Sequence, residues 1–204
     1  TGLLYELVWT RMIIKVIGAA PFAVSIILTV FMGGLGLGSY IASKTIDRVG
    51  EPRRLLRLYA LLEFAIGAYG ILLPGLIILS KPLYSLLYNQ FFSHFLLYSV
   101  LTLAGCVVLL ILPSTCMGAT LPILCRFYIV QLGHLGTRSG RLYALNTIGA
   151  AAGSFLCGFW LIAWFGVWGS LLSAVIINAA IGAVSLLASN RIGLQQGRHD
   201  CLPA

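Results

Sequence analysis

Three ionisable side chains interrupt stretches that are otherwise apolar: Glu6 and Arg11 in the first, Glu63 near the middle of the third. An ionised group at the centre of a bilayer costs about 2.5–3.5 kcal/mol on insertion scales. Each is therefore expected to face a partner or a wet cavity and not lipid. Glu6 and Arg11 lie five residues apart, about 140° around a helix, so they do not form the favoured i,i+4 pair. Arg11 is expected to find its partner on another helix, and Glu63 is the candidate. Two chemistries fit: a structural Arg11–Glu63 ion pair, or a substrate or proton site using Glu6 or Glu63. Asn146 is similar in kind, an amide in an apolar run that either bonds between helices or completes such a site.

Other chemistry is thin. His94, His134 and His199 fall in different connections or the tail, so no mid-span imidazole pair is placed to hold haem or metal. Ser25 and Ser154 lack a His–Asp companion. Cys106, Cys116, Cys125, Cys157 and Cys201 are scattered without a C-x-x-C pair, which argues against a disulfide framework or zinc site. Neither a metal nor a cofactor is expected. The glycines of Gly34-Leu35-Gly36-Leu37-Gly38 lie inside an apolar run and not between a strand and a helix, so they do not read as a phosphate-binding loop.

The elements that must position the polar residues are membrane helices. Hydrophobic residues make up 60% of the chain and charged ones 9%, with a mean hydropathy of +1.01, against roughly 25% charged in an ordinary soluble domain. The 13 Lys and Arg against five acids cluster between apolar runs, the pattern of loops facing anionic headgroups and not of a nucleic-acid face. The first run, up to Gly18, is short of the ~20 residues of a full span, which predicts further residues upstream. The second covers about 21–43 and the third about 55–79. Lys81-Pro82 then opens an aromatic connection through Tyr84, Tyr88, Phe91, Phe92, Phe95 and Tyr98, expected at the membrane–water boundary. Residues 96–130 are read as one long span kinked near Pro113 and Pro122. Runs over about 142–165 and 168–189 complete six spans in a domain covering 1–189, with 190–204 as a flexible tail.

The loop from Lys44 to Arg57, with Arg48, Arg53 and Arg54, sets the orientation, because short loops rich in Lys and Arg stay cytoplasmic. Six spans then put both ends in the cytoplasm and leave Lys15 and Lys81 on the other side. Small residues four apart, Gly34 with Gly38 and Gly149 with Gly153, permit close helix approach, either inside one bundle or between copies. The expected partners are the lipid bilayer and other membrane subunits or a second copy of the chain, with no nucleic acid.

A series of local patterns also carries a family resemblance. These are Leu4-Tyr5-Glu6-Leu7-Val8-Trp9-Thr10-Arg11, Phe31-Met32-Gly33-Gly34-Leu35-Gly36-Leu37-Gly38-Ser39, Leu58-Tyr59-Ala60-Leu61-Leu62-Glu63, Met117-Gly118-Ala119-Thr120-Leu121-Pro122 and Gly140-Arg141-Leu142-Tyr143-Ala144-Leu145-Asn146. Together, over roughly 1–189, they resemble the membrane domain of bacterial spermidine synthase-like proteins, in which a major-facilitator-type unit is fused to a synthase domain. The resemblance implies an all-α integral membrane fold like one half of a major-facilitator protein, in the bacterial inner membrane. It also implies that Asp47 and Arg48 belong to a cytoplasmic loop lock similar to the G-x-x-x-D-R-x-G-R-R signature, although Glu51-Pro52 intervene here before the arginines. The soluble nucleotide-binding domain of the fused relatives has no counterpart in these residues, so no enzyme activity is expected of them.

Three functions follow as expectations. The first is a non-catalytic polytopic subunit that anchors or organises a larger membrane assembly. A half-transporter comes next, moving a small metabolite, cationic among the alternatives, as a dimer, with Glu6, Arg11, Glu63 and Asn146 on its path. The third is the membrane part of a polyamine aminopropyltransferase-like system.

Overall fold

The structure, a computed structural model, describes residues 1–18, 21–132 and 137–200, and their side chains apart from those of 47, 129–132, 137–139 and 193–200. The described residues are all-helical: α1 (Gly2–Ile17), α2 (Pro21–Thr45), α3 (Pro52–Phe91), α4 (Phe95–Leu132), α5 (Thr137–Leu156) and α6 (Ile162–Asp200). A 3-10 turn, Ile46–Arg48, follows α2, and a π-helical turn, Cys157–Leu161, joins α5 to α6.

Four helical stretches are long and apolar enough to cross a membrane: Pro21–Thr45, Pro52–Phe91, Phe95–Tyr128 and Gly140–Ile192. The last, of 53 residues, would extend roughly 80 Å as a straight rod. It is broken at Gly166, whose φ of 68° and ψ of −175° leave the helix in a region essentially reserved for glycine. α1, at 16 residues, is shorter than these.

Helix packing follows the small residues. A Cβ on Gly34 would fall 1.8 Å from the Ser114 hydroxyl, one on Gly38 1.9 Å from the Thr115 carbonyl, and one on Gly118 2.1 Å from the Leu35 carbonyl. α2 and α4 therefore pack backbone against backbone, the close approach expected where lipid removes any net drive from apolar burial. α3 packs on α4 and α6, and α1 threads among the other helices. Tyr5, Val8 and Trp9 of α1 are fully buried. By contrast, among the described residues α5 touches only α1, α4 and the π-turn that continues it.

One expectation about helix length is corrected. α3 does not stop near residue 79 but continues through Pro82 to Phe91, so the connection to α4 shrinks to Phe92–His94. Its aromatics, with Phe22 of α2, still cluster at this end of the bundle: Phe22 meets Phe95 at 5.6 Å and Tyr88 meets Phe92 at 4.6 Å between ring centres. α4 is one helix, as expected, with Pro113 and Pro122 inside it. α6 runs to Asp200.

The charges sort by end. Lys15 and Lys81 line one shallow cavity of about 220 Å³ with Pro74 and Trp168. At the opposite end, the Arg57 guanidinium donates to the Asn190 side-chain carbonyl at 3.4 Å, and the Ser189 hydroxyl donates to the Arg53 carbonyl at 3.0 Å.

Candidate intramembrane polar site

One face of α3 carries Tyr59, Glu63, Ile66, Gly67, Gly70 and Leu73, all buried. Spacings of three and four residues put them in one stripe. Glu63 is only 5% exposed, and its Oε2 has no hydrogen-bond partner. Tyr59, one turn earlier, sets its phenol against that carboxylate. Two turns on, the absent side chains of Gly67 and Gly70 admit neighbours. The Cβ of Asn178 from α6 lies 3.6 Å from the Cβ position of Gly67, and the Tyr5 ring from α1 comes within 2.7 Å of that of Gly70.

These neighbours share an unusual property. Asn178 is fully buried with both amide atoms unpartnered, and the Tyr5 hydroxyl and Trp9 indole nitrogen are unpartnered as well. Buried polar groups normally find a bond, because leaving one unmade costs about 1–3 kcal/mol. So three helices, α1, α3 and α6, turn unsatisfied polar atoms into one part of the bundle interior.

Beside Glu63 opens a cavity of about 330 Å³. Tyr59 and Glu63 of α3, Thr120 of α4 and Asn146 of α5 supply its polar lining, Met117 and Ile181 part of its apolar lining, and Thr1 and Gly2 the α1 side. The cavity thus brings Glu63 and Asn146 together from residues 83 positions apart in sequence.

Arg11 does not join them. It is exposed, has no ion-pair partner among the described residues, and lies near enough to Cys157 in the π-turn for its charge to act there. The expected Arg11–Glu63 pair is thereby corrected, for two geometric reasons. Tyr5, Val8, Trp9 and Met12 are on the buried face of α1, and at about 100° per residue Arg11 sits roughly 110° away from their centre. The axial offset is wrong as well. Thr1 and Gly2 line the cavity at Glu63 whereas Met12 and Lys15 line the other one with Pro74 and Lys81, so Arg11, nine residues beyond Gly2, is displaced toward that other cavity by roughly 13 Å of helix.

Glu6 is half-buried and does not line the cavity. Arg48 is exposed on the 3-10 turn, and the side chain of Asp47 lies outside the described residues, as do those of His134, His199 and Cys201. Tyr59, Thr120 and Asn178 join the polar interior without having been singled out beforehand. Asn178 carried the same signal as Asn146, an amide inside an apolar run, whereas Tyr59 and Thr120 carried none.

Among the described residues, no group of His, Cys, Asp and Glu is placed to hold a metal ion. No family model matches the chain, and neither a curated protein nor a solved structure matches it.

Proposed function

We propose that this chain is a non-catalytic polytopic membrane subunit that anchors or organises a larger assembly in a bacterial inner membrane. The observation that carries the reading is α5. Its residues Tyr143, Leu145, Ile148 and Phe155 are each more than half exposed, and nothing stands within 4 Å of the Cβ positions of Gly149 and Gly153. Apolar exposure alone suits lipid. An open pair of small residues four apart is the feature that admits another helix, and within this bundle the same feature at Gly34 and Gly38 is filled. Six spans are part of the proposal: α1, α2, α3, α4, the segment from α5 to Gly166, and the remainder of α6. Lys15 and Lys81 at one end, and the basic loop with Arg191 at the other, support placing both termini on the cytoplasmic side.

The test is isolation in a mild detergent followed by native mass spectrometry. A cysteine at Gly149 should cross-link to another polypeptide at fixed stoichiometry. A chain that remains monomeric in native membranes, with no cross-link from α5, overturns the reading.

A second reading has its own observation. The cavity holding Glu63 and Asn146 is what a six-helix half-carrier needs, and the resemblance to a major-facilitator half supports it. Glu63→Gln should then abolish flux in reconstituted vesicles without changing insertion; unchanged flux removes it.

A further inference from the structure

We infer that the cavity at the Lys15–Lys81 end of the bundle is a binding site for an anionic phospholipid, its headgroup phosphate at the two lysines and an acyl chain against the apolar wall. The inference stands apart from the anchoring and half-carrier readings and needs only that the helices lie in a bilayer.

The sign of the headgroup follows from the charges at this end. Lys15 is in the last turn of α1 and Lys81 in the later part of α3, and both line the cavity. Both side chains are exposed, and neither makes an ion pair among the described residues. No acid lines the cavity with them. The chain has five acids, and all lie elsewhere. Glu6 is nine residues before Lys15 and Glu63 eighteen before Lys81. Asp47 and Glu51 belong to the basic loop, where Glu51 pairs with Arg54. Asp200 follows Asn190, which meets Arg57 at that opposite end. Each lysine ammonium carries three donors, and the protein sets no carboxylate beside them.

That the anion is a lipid follows from depth and from the wall. Arg53 and Lys81 are 28 residues apart on α3, roughly 42 Å of helix, against a bilayer of about 40–45 Å including its headgroups. With Arg53 among the headgroups of one leaflet, Lys81 reaches those of the other. Trp168, exposed and lining the same cavity, is of the residue type that gathers at that level. Met12, Val16, Pro74, Ile77 and Val167 make the remaining wall hydrocarbon, which packs an acyl chain and offers a soluble anion nothing. The cavity of about 220 Å³ is smaller than the roughly 300–1,000 Å³ of a pocket that encloses a small molecule. It suits part of an amphiphile whose remaining chain stays in the bilayer. A zwitterionic lipid would bring its own cation toward two lysines, and an anionic one does not.

The experiment reconstitutes the full chain in phosphatidylcholine vesicles containing a minor share of dibrominated phosphatidylglycerol or, in parallel, of dibrominated phosphatidylcholine, and reads tryptophan quenching. The difference between the wild type and Trp168→Phe isolates Trp168; the signal left in Trp168→Phe comes from Trp9, Trp160 and Trp164. Phosphatidylglycerol should associate at Trp168 about fivefold more tightly than phosphatidylcholine, the scale of one lysine acting on an anionic headgroup. The other tryptophans should show a much weaker preference. Lys15→Gln combined with Lys81→Gln should abolish the preference at Trp168, and Lys15→Arg combined with Lys81→Arg should keep it. Both positions are exposed; if the glutamine pair nonetheless fails to insert, the contrast between Trp168 and the other tryptophans decides. An equal preference at every tryptophan is general enrichment around the protein and overturns the site, as does a preference that survives the glutamine pair. Displacement of the brominated lipid by millimolar inorganic phosphate overturns the lipid in favour of a soluble anion. Protection of Trp168 from both brominated lipids overturns it in favour of a second copy or another subunit seated on this face.

Discussion

The Tyr69 hydroxyl of α3 donates to the Leu109 carbonyl of α4 at 2.8 Å, and Leu109 is the residue four before Pro113. In an unbroken helix that carbonyl would accept from the amide at position 113, but proline has none to give. Where no water can substitute, the freed carbonyl must be satisfied from another helix. Tyr69 does so, and α4 passes Pro113 without interruption. Ser114 adds local support, donating to the Leu110 carbonyl at 2.6 Å.

Tyr69→Phe is therefore expected to destabilise the bundle by about 1 kcal/mol, the scale of an interhelical hydrogen bond in a membrane protein. The loss should depend on the proline. In a Pro113→Ala background the helix supplies its own amide, so removal of the Tyr69 hydroxyl should cost much less. A double-mutant cycle read by reversible unfolding in mixed micelles checks this. Additive effects of the two substitutions would show that the hydroxyl does not replace the missing amide.

The glycines of the α2–α4 contact and those of α5 should respond oppositely to alanine. Gly38→Ala and Gly118→Ala place a methyl about 2 Å from backbone carbonyls of the facing helix, atoms that cannot turn aside, so each should cost several kcal/mol and force α2 from α4. Gly149→Ala and Gly153→Ala meet nothing within 4 Å. They should leave the isolated chain as stable or raise it by up to about 1 kcal/mol through helix propensity. Thermal unfolding of the purified variants separates the two classes. If α5 docks a partner helix, Gly149→Ala should also reduce co-purification of that partner while the chain itself stays folded.

Gly166 is required by its dihedral angles and not by space, since no atom lies within 4 Å of its Cβ position. Gly166→Ala is expected to cost about 1–3 kcal/mol if the break persists, or to convert it toward continuous helix. A pair of spin labels at Phe159 and Leu172, both exposed, distinguishes the outcomes: their separation lengthens if the substitution straightens the chain. An unchanged distance together with unchanged stability would mean that φ at this position is not held positive.

What could be read from sequence was what depends on neighbours along the chain. Apolar runs mark helices because hydropathy is local, and Gly34 with Gly38 mark a close contact because their spacing is local. The Arg11–Glu63 pair failed because it depends on how far one helix is shifted along another, which neither helix encodes alone. The bulk of Tyr5 and Trp9, fitted against Gly70 and the core, sets that shift and turns Arg11 outward. The donor that tends the carbonyl freed by Pro113 was hidden for a related reason: the proline predicts a lost bond, while Tyr69 sits 40 residues before Leu109 on another helix. Glu63 and Asn146 were visible as polar residues in apolar runs, but their shared cavity depends on α4 and α5 reaching the same level of α3.

Glu63 itself yields a test that separates function from folding. Its Oε2 is buried without a partner, so the folded chain carries a desolvation cost that an apolar side chain of similar volume does not. Replacing buried ionic groups by well-packed hydrophobic ones is often neutral or stabilising by about 1–4 kcal/mol. Glu63→Leu should raise the unfolding temperature in detergent. Glu63→Gln should change it less, because the amide leaves polar atoms in the same surroundings. Both should lose whatever the carboxylate binds. A gain in stability paired with loss of binding is the signature of a residue retained for function at the expense of the fold. If Glu63→Leu instead unfolds the bundle, the contact with Tyr59 outweighs the unpartnered oxygen and the carboxylate is a structural tie between turns of α3.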